Sequence, residues 1–188
     1  MPNAPKALLA AALLALLGAC ASPSMYAPEP PILSGLDVAR GPAPSLRNAI
    51  AVGSVILGPD GGQPWRGNVS AADIQATLAR TLAEANLGGT AAGGRFRLDG
   101  ALLTLQRPYA GFAMTVTAQI AWRLTDGATG AVVYDQTLTS LGSASLDDAI
   151  TNETRLRIAD ERAVRANLRM LVEALYALPE PRQGPRRG

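Results

Sequence analysis

Residues 114–124 read MTVTAQIAWRL, and this stretch decides the fold class. Met114, Val116, Ala118, Ile120, Trp122 and Leu124 fall on one side of an extended chain, and Thr115, Thr117, Gln119, Ala121 and Arg123 on the other. A period of two marks a β-strand with one buried and one solvated face. Asp126-Gly127 and Gly130 then supply turn chemistry, so 131–141 is expected to return as a hairpin partner. Upstream, 96–106 reads as another strand, with Gly100 or its neighbours marking a phase change or bulge.

Further from this centre the period changes. Ile74, Leu78, Leu82 and Ala85 recur at helical spacing; Ser70 and Asp73 form a start signal, and Gly88-Gly89 is the expected stop. Before that helix, 49–57 is a strand candidate with Ile50, Val52 and Ile56 on one face. At the other end Val164, Leu168, Leu171, Leu175 and Leu178 make the stripe of a long helix that begins between Asp147 and Arg155. The order β-α-β-β-β-α predicts an α/β protein of the α+β kind. It is a two-layer sandwich: a four-stranded mixed sheet with two helices on one face.

The ends of the chain read differently. Residues 1–19 combine Lys6 with the apolar run ALLAAALLALL at 7–17, too short to span a bilayer, and close on Leu17-Gly18-Ala19 before Cys20. Residues 20–44 are rich in proline and small residues, including Pro28-Glu29-Pro30-Pro31, as an extended tether would be. Ile32, Leu33, Leu36 and Val38 within it are candidates for apolar contacts with the domain. The division expected is a signal peptide at 1–19, a tether at 20–44, one domain at 45–178 and a basic tail at 179–188.

Composition excludes more chemistry than it suggests. The 188 residues include no histidine and one cysteine, Cys20, and the one lysine is Lys6. A chain beginning at Cys20 has no imidazole, free amine side chain or internal disulfide. Ser-His-Asp and Cys-His catalysis, Schiff-base chemistry and His/Cys zinc sites are therefore excluded. The formal charge is +2, but Lys6, Arg182, Arg186 and Arg187 lie in the leader and tail, leaving the domain near neutral. Aromatic residues are 4% of the chain, too few for a basic, stacking face, so no nucleic-acid partner is expected.

Four local patterns remain. Arg155, Arg162, Arg165 and Arg169 run along one side of the last helix, as an anion or partner contact or as a solvated face with ion pairs. Asp147-Asp148 and Asp160-Glu161 are the adjacent carboxylates. Neighbours on a helix diverge, so neither pair makes a catalytic dyad, and Asp147 and Asp148 read as helix-start signals. Tyr109 and Phe112 place two of the few aromatics in one connector, as partner contacts or as a fold-back over the core edge. Gly88-Gly89 and Gly93-Gly94 fit turns better than a phosphate loop.

The Leu17-Gly18-Ala19-Cys20 run resembles the lipobox of bacterial lipoproteins. That resemblance implies cleavage between Ala19 and Cys20 and a diacylglyceryl lipid on the Cys20 sulfur, with further acylation, such as palmitate, at the new N-terminus. Ala21 in place of aspartate implies the outer membrane, on its periplasmic face. GFAMTVT at 111–117 and RLRIADERAVRANL at 155–168 look like a group of uncharacterised small Gram-negative envelope lipoproteins. The layout is similar to the LPS-assembly lipoprotein and to auxiliary lipoproteins of ABC-type lipid transport. The resemblance implies a non-enzymatic accessory or assembly subunit with an envelope protein partner, a lipid anchor and no cofactor. The alternatives are an anionic-lipid or LPS-binding module using the basic helix face, and a carboxylate-dependent envelope enzyme.

The lipid anchor gives the first testable expectation. Wild-type protein should partition into detergent, whereas Cys20→Ser should accumulate as uncleaved precursor or as soluble protein. Equal membrane retention of the two forms in fractionated cells would sink the lipobox reading.

Overall fold

The alternating stretch is the third strand of a four-stranded sheet. A computed structural model describes residues 31–34, 36, 41–60, 69–89, 94–108 and 111–180. One turn of 3-10 helix (Pro44–Leu46) leads into β1 (Ile50–Asp60), α1 (Ala71–Glu84), β2 (Phe96–Gln106), β3 (Met114–Asp126), β4 (Val132–Ala144) and α2 (Asn152–Tyr176). The strands lie in the order β1-β2-β3-β4. β1 runs parallel to β2, with α1 as the crossover, and the other two pairings are antiparallel. This is the expected β-α-β-β-β-α mixed sheet.

All six apolar residues of the 114–124 alternation are buried. Ile120, Trp122 and Leu124 join Ile74, Leu78 and Leu82 of α1 and Leu168, Leu171 and Leu175 of α2 in one core. Both helices therefore cover the same sheet face. A smaller cluster at the far end of the sheet joins Met114, Val116 and Ala118 to Ile158, Ala159 and Ala163. Ile32, Leu33 and Leu36 pack against the main core, so part of the segment read as a tether lies on the domain; Val38 is outside the described residues.

The element ends show where local chemistry acts. Ser70 caps α1 by accepting from Asp73 N–H at 3.1 Å, and the Asp73 carboxylate accepts from Ser70 N–H in return. The helix stops earlier than Gly88-Gly89. Asn86 takes a positive φ of 54°, while Leu87 N–H donates to Leu82 O (2.9 Å) and Asn86 N–H to Ala83 O (3.1 Å). That is a Schellman closure with asparagine in the left-handed position. α2 is capped by Thr151 and ends at Tyr176, two residues before Leu178. Asp147 and Asp148 thus lie in a separate turn ahead of it.

One strand reading needs correction, and the irregularity expected at or near Gly100 is present. In β1 the pairing with β2 slips between Val52 and Val55, so Val55 turns inward and Ile56 is 58% exposed on the opposite face. In β2 the irregularity lies between Leu102 and Thr104. Gly100 serves another purpose: a Cβ there would sit 2.5 Å from Trp122 Cζ3, so its bare backbone makes room for the indole.

α2 packs tightly on the sheet at Gly142, where a Cβ would lie 2.2 Å from both Ala159 O and Ala163 N. Small residues on both sides permit this approach. Beside it Asn167, fully buried, accepts from Trp122 Nε1 (2.8 Å) and donates to Leu138 O (2.8 Å) and Ser140 Oγ (3.1 Å). Ser140 Oγ donates onward to Ala163 O at 2.8 Å.

Three substitutions test this packing by thermal or urea unfolding. Gly142→Ala should overpack the helix–sheet contact at a cost of about 1–3 kcal/mol. Leu168→Asp, burying an unpaired charge, should cost more than about 3 kcal/mol. Thr117→Asp, on the uncovered face, should stay within about 0.5 kcal/mol. Equal damage from all three would mean that the two faces are wrongly assigned.

Candidate functional site

The four arginines do not form a common surface stripe. Arg155, in the first turn of α2, is only 3% exposed. Its Nη1 donates to Ala149 O (2.9 Å) and Ile150 O (2.7 Å), and its Nη2 donates to Gly111 O (3.3 Å) and to Asn152 Oδ1. One guanidinium thus ties the approach to β3 to the turn before α2. Arg162 donates to Ser143 O and to the Asp148 carboxylate, both at 2.6 Å. Arg169 pairs with Glu173 one turn on (3.1 Å). Arg165 borders a groove of about 450 Å³ between α1 and α2, floored by Ile74 and Val164, with Asp73, Arg157 and Glu161 on its rim.

The carboxylates are engaged as well. Asp148 Oδ2 accepts from Ser145 N–H (2.8 Å) in the turn before α2. The Arg162 guanidinium, hydrogen-bonded to Asp148, is the main reason its pKa falls to about 2, with the Ser145 amide adding to it and partial desolvation opposing. Asp160 is buried in α2 and accepts from Arg107 Nε at 2.8 Å. Burial pushes its pKa up, although the Arg107 hydrogen bond and charge act the other way. Glu161 accepts from Arg157 at 2.6 Å. Asp148, Asp160 and Glu161 each have a different arginine partner. Among the described residues no group of three or more His, Cys, Asp and Glu side chains converges on a metal position.

The Arg155 clamp gathers the carbonyls of Gly111, Ala149 and Ile150, and large apolar side chains stand exposed beside them. Phe112, the residue after Gly111, is 83% exposed, and Ile150, whose carbonyl shares the same guanidinium, is 86% exposed. Leu146, also exposed, belongs to the same turn region. These residues cap the end of the sheet where β3 starts and β4 finishes, opposite the end where β1 and β2 begin. Tyr109, Ala19 and Cys20 lie outside the described residues. The sequence singles out Phe112 by residue type but not Ile150, which belongs to no periodic stretch. Nor does it single out Asn167, whose place three residues after Val164 and one before Leu168 puts an amide inside the apolar stripe.

No protein-family model matches the chain, and comparison with curated proteins yields no match. Solved structures do resemble it. A dodecameric PelC from Paraburkholderia phytofirmans is 19% identical, with 73% of this chain and 94% of that chain covered and a TM-score of 0.51. Protein XCC0632 from Xanthomonas campestris, of family DUF330, is 12% identical over 70% of this chain and 87% of its own, with a TM-score of 0.47. A minor lipoprotein from Acinetobacter baumannii is 16% identical over 73% and 99%, with a TM-score of 0.42. Of these three the PelC likeness is close enough to bear on this chain, and what it bears on is the fold. Bacterial lipoproteins are thus among the structural neighbours, while the finer likeness to the LPS-assembly lipoprotein gains no support. Among the described residues, no helix is long and apolar enough to cross a membrane.

The Asp148–Arg162 pair makes a pH prediction. A folded-state pKa of about 2 lies below the ordinary value of about 4, so the pair's stabilisation is present above about pH 4. It is lost as pH falls through about 2. The carboxyl carbon of Asp148 should titrate near 2 by NMR in the wild type and move up toward 4 in Arg162→Gln. An unchanged midpoint would show that Arg162 does not set it.

Proposed function

We propose that this chain is a lipid-anchored accessory subunit of an envelope complex, at the periplasmic face of the outer membrane. On this reading it works by surface contact, and its contact point is the apolar tip of Phe112 and Ile150. The observation behind this is the combination of exposure and rigidity. Two large apolar side chains stand in water, yet the backbones that bear them share the buried Arg155 guanidinium. An anchor held in its binding conformation loses little entropy when a partner closes over it. Fixed aromatic and aliphatic anchors are the kind of residue that dominates interface energies.

Position supports the same reading. The chain enters β1 at the opposite end of the sheet from the tip, and β3 alone, with 13 residues at about 3.4 Å each, separates those ends by roughly 40 Å. The first described residues, Pro31 and Ile32, lie beside α1 and Arg165, and none of the tip residues lines that contact. The PelC structure is a dodecamer. A shared fold in a subunit of a larger assembly supports an accessory role, at the level of fold. The basic-helix alternative draws little support from the geometry, since Arg155 is buried and Arg162 and Arg169 have carboxylate partners.

A photo-crosslinking residue at position 112, expressed in native membranes, should capture a larger envelope protein. Phe112→Ser with Ile150→Ser should weaken that association by roughly 30-fold or more, the scale of one lost interface anchor of about 2 kcal/mol. The thermal midpoint should be unchanged. Full complementation of a deletion strain by the double variant would remove the tip from the function.

A further inference from the structure

The sheet face away from the helices has its own organisation. Cross-strand register puts Ala101, Ala121 and Thr137 in one row with Ile56; Thr104, Gln119 and Thr139 lie in the next, and Thr117 with Leu141 beyond. Among the described side chains of β2, β3 and β4, this half of the face bears no charge. Ile56 (58%) and Leu141 (62%) are exposed on it. One row toward the other end the character changes: Asp99 of β2 is in register with Arg123 of β3, and Arg123 with Asp135 of β4. Each charge in this row has a partner on the same face. Asp99 accepts from Arg97 at 2.8 Å and from Ser54 N–H at 2.8 Å, and Asp135 accepts from Arg123 at 2.7 Å.

We infer that this open face docks a second copy of the same chain, sheet against sheet, about a two-fold axis parallel to the strands between β2 and β3. Such an axis reverses the strand order, so β2 faces β3 of the second copy and β1 faces β4. The uncharged rows of β2 and β3 then meet one another, while Asp60 of β1, in register with Thr104, comes opposite the Thr139 row of β4. In the charged row Asp99 meets Arg123 and Arg123 meets Asp99, while Asp135 meets Ser54. Like charges do not face one another. Aligned sheets of this kind pack about 10 Å apart with strands within about 30°, which the ordinary sheet twist permits. An isologous contact requires this self-complementarity.

The area is sufficient for a modest dimer. Four strands at about 4.8 Å spacing and nine residues at about 3.4 Å give a footprint of roughly 550–600 Å² per copy. Two copies would bury about 1,100–1,200 Å², the lower end of specific interfaces. The association is accordingly reversible. It uses a different surface from the tip, so tip variants should leave it intact, and failure of either reading is separable from the other.

The test is sedimentation equilibrium of the full chain in mild detergent. Wild type should show a monomer–dimer equilibrium, and Ala121→Arg, at the middle of the face, should weaken it at least tenfold, with no change in thermal midpoint at concentrations where both proteins are monomeric. Asp99→Arg and Arg123→Asp should each dimerise poorly alone, because like charges then meet twice. An equimolar mixture of the two single variants should associate more tightly than either, since every cross-copy pair is again of opposite sign. A wild type that stays monomeric at all concentrations overturns the inference. So does association that ignores Ala121→Arg, or a mixture no tighter than its components, either of which would assign the face to a different arrangement or partner.

Discussion

Asn167 has lost all contact with water and recovers its hydrogen bonds inside the domain, from the Trp122 indole and to β4 through Leu138 O and Ser140 Oγ. A buried amide left without partners costs about 1–3 kcal/mol. The apolar contacts around it would tolerate small sliding of α2, but this set of bonds is satisfied in one position. Gly142 makes the same demand sterically, because only a residue without a Cβ admits the helix backbone at that depth. Apolar burial drives the two layers together; the amide and the glycine fix where they meet.

Everything at the far end of the molecule follows from that fixed position. α2 is one 25-residue helix, so registering it at Asn167 also places Arg162 over the Ser145–Asp148 turn and Arg155 under the approach to β3. The arginines that look like one stripe on paper do three separate structural jobs. Arg155 binds carbonyls, Arg162 joins turn to helix, and Arg169 pairs along the helix surface. The exposed tip exists because a buried cation gathers the backbones beneath it.

The sheet was largely legible in the sequence because its strands obey a simple period where one face is buried, as β3 does throughout. The Ser70–Asp73 box was legible because it is local. What escaped depends on tertiary contact. The slip in β1 inverts Val55 and Ile56, a one-residue event that no propensity separates from regular alternation. Asn86 stops α1 with a left-handed conformation that glycine usually supplies, so the glycine pair two residues later drew attention instead. The fate of the arginines is unreadable from helical spacing, since spacing gives the side of a helix but not what lies against it. Phe112 could be singled out by type, whereas Ile150 needed the turn to be seen.

The fit of Trp122 over Gly100 has an evolutionary reading. Any Cβ at position 100 collides with the indole ring, so a relative with a side chain there needs a smaller residue at 122. Removing the indole also removes the N–H that Asn167 accepts, and the buried amide must then change as well. Positions 100, 122 and 167, on β2, β3 and α2, therefore form a linked set that diverges together or not at all. Among distant lineages of this fold that trio should sort into a few discrete combinations, while the exposed rows around it drift independently.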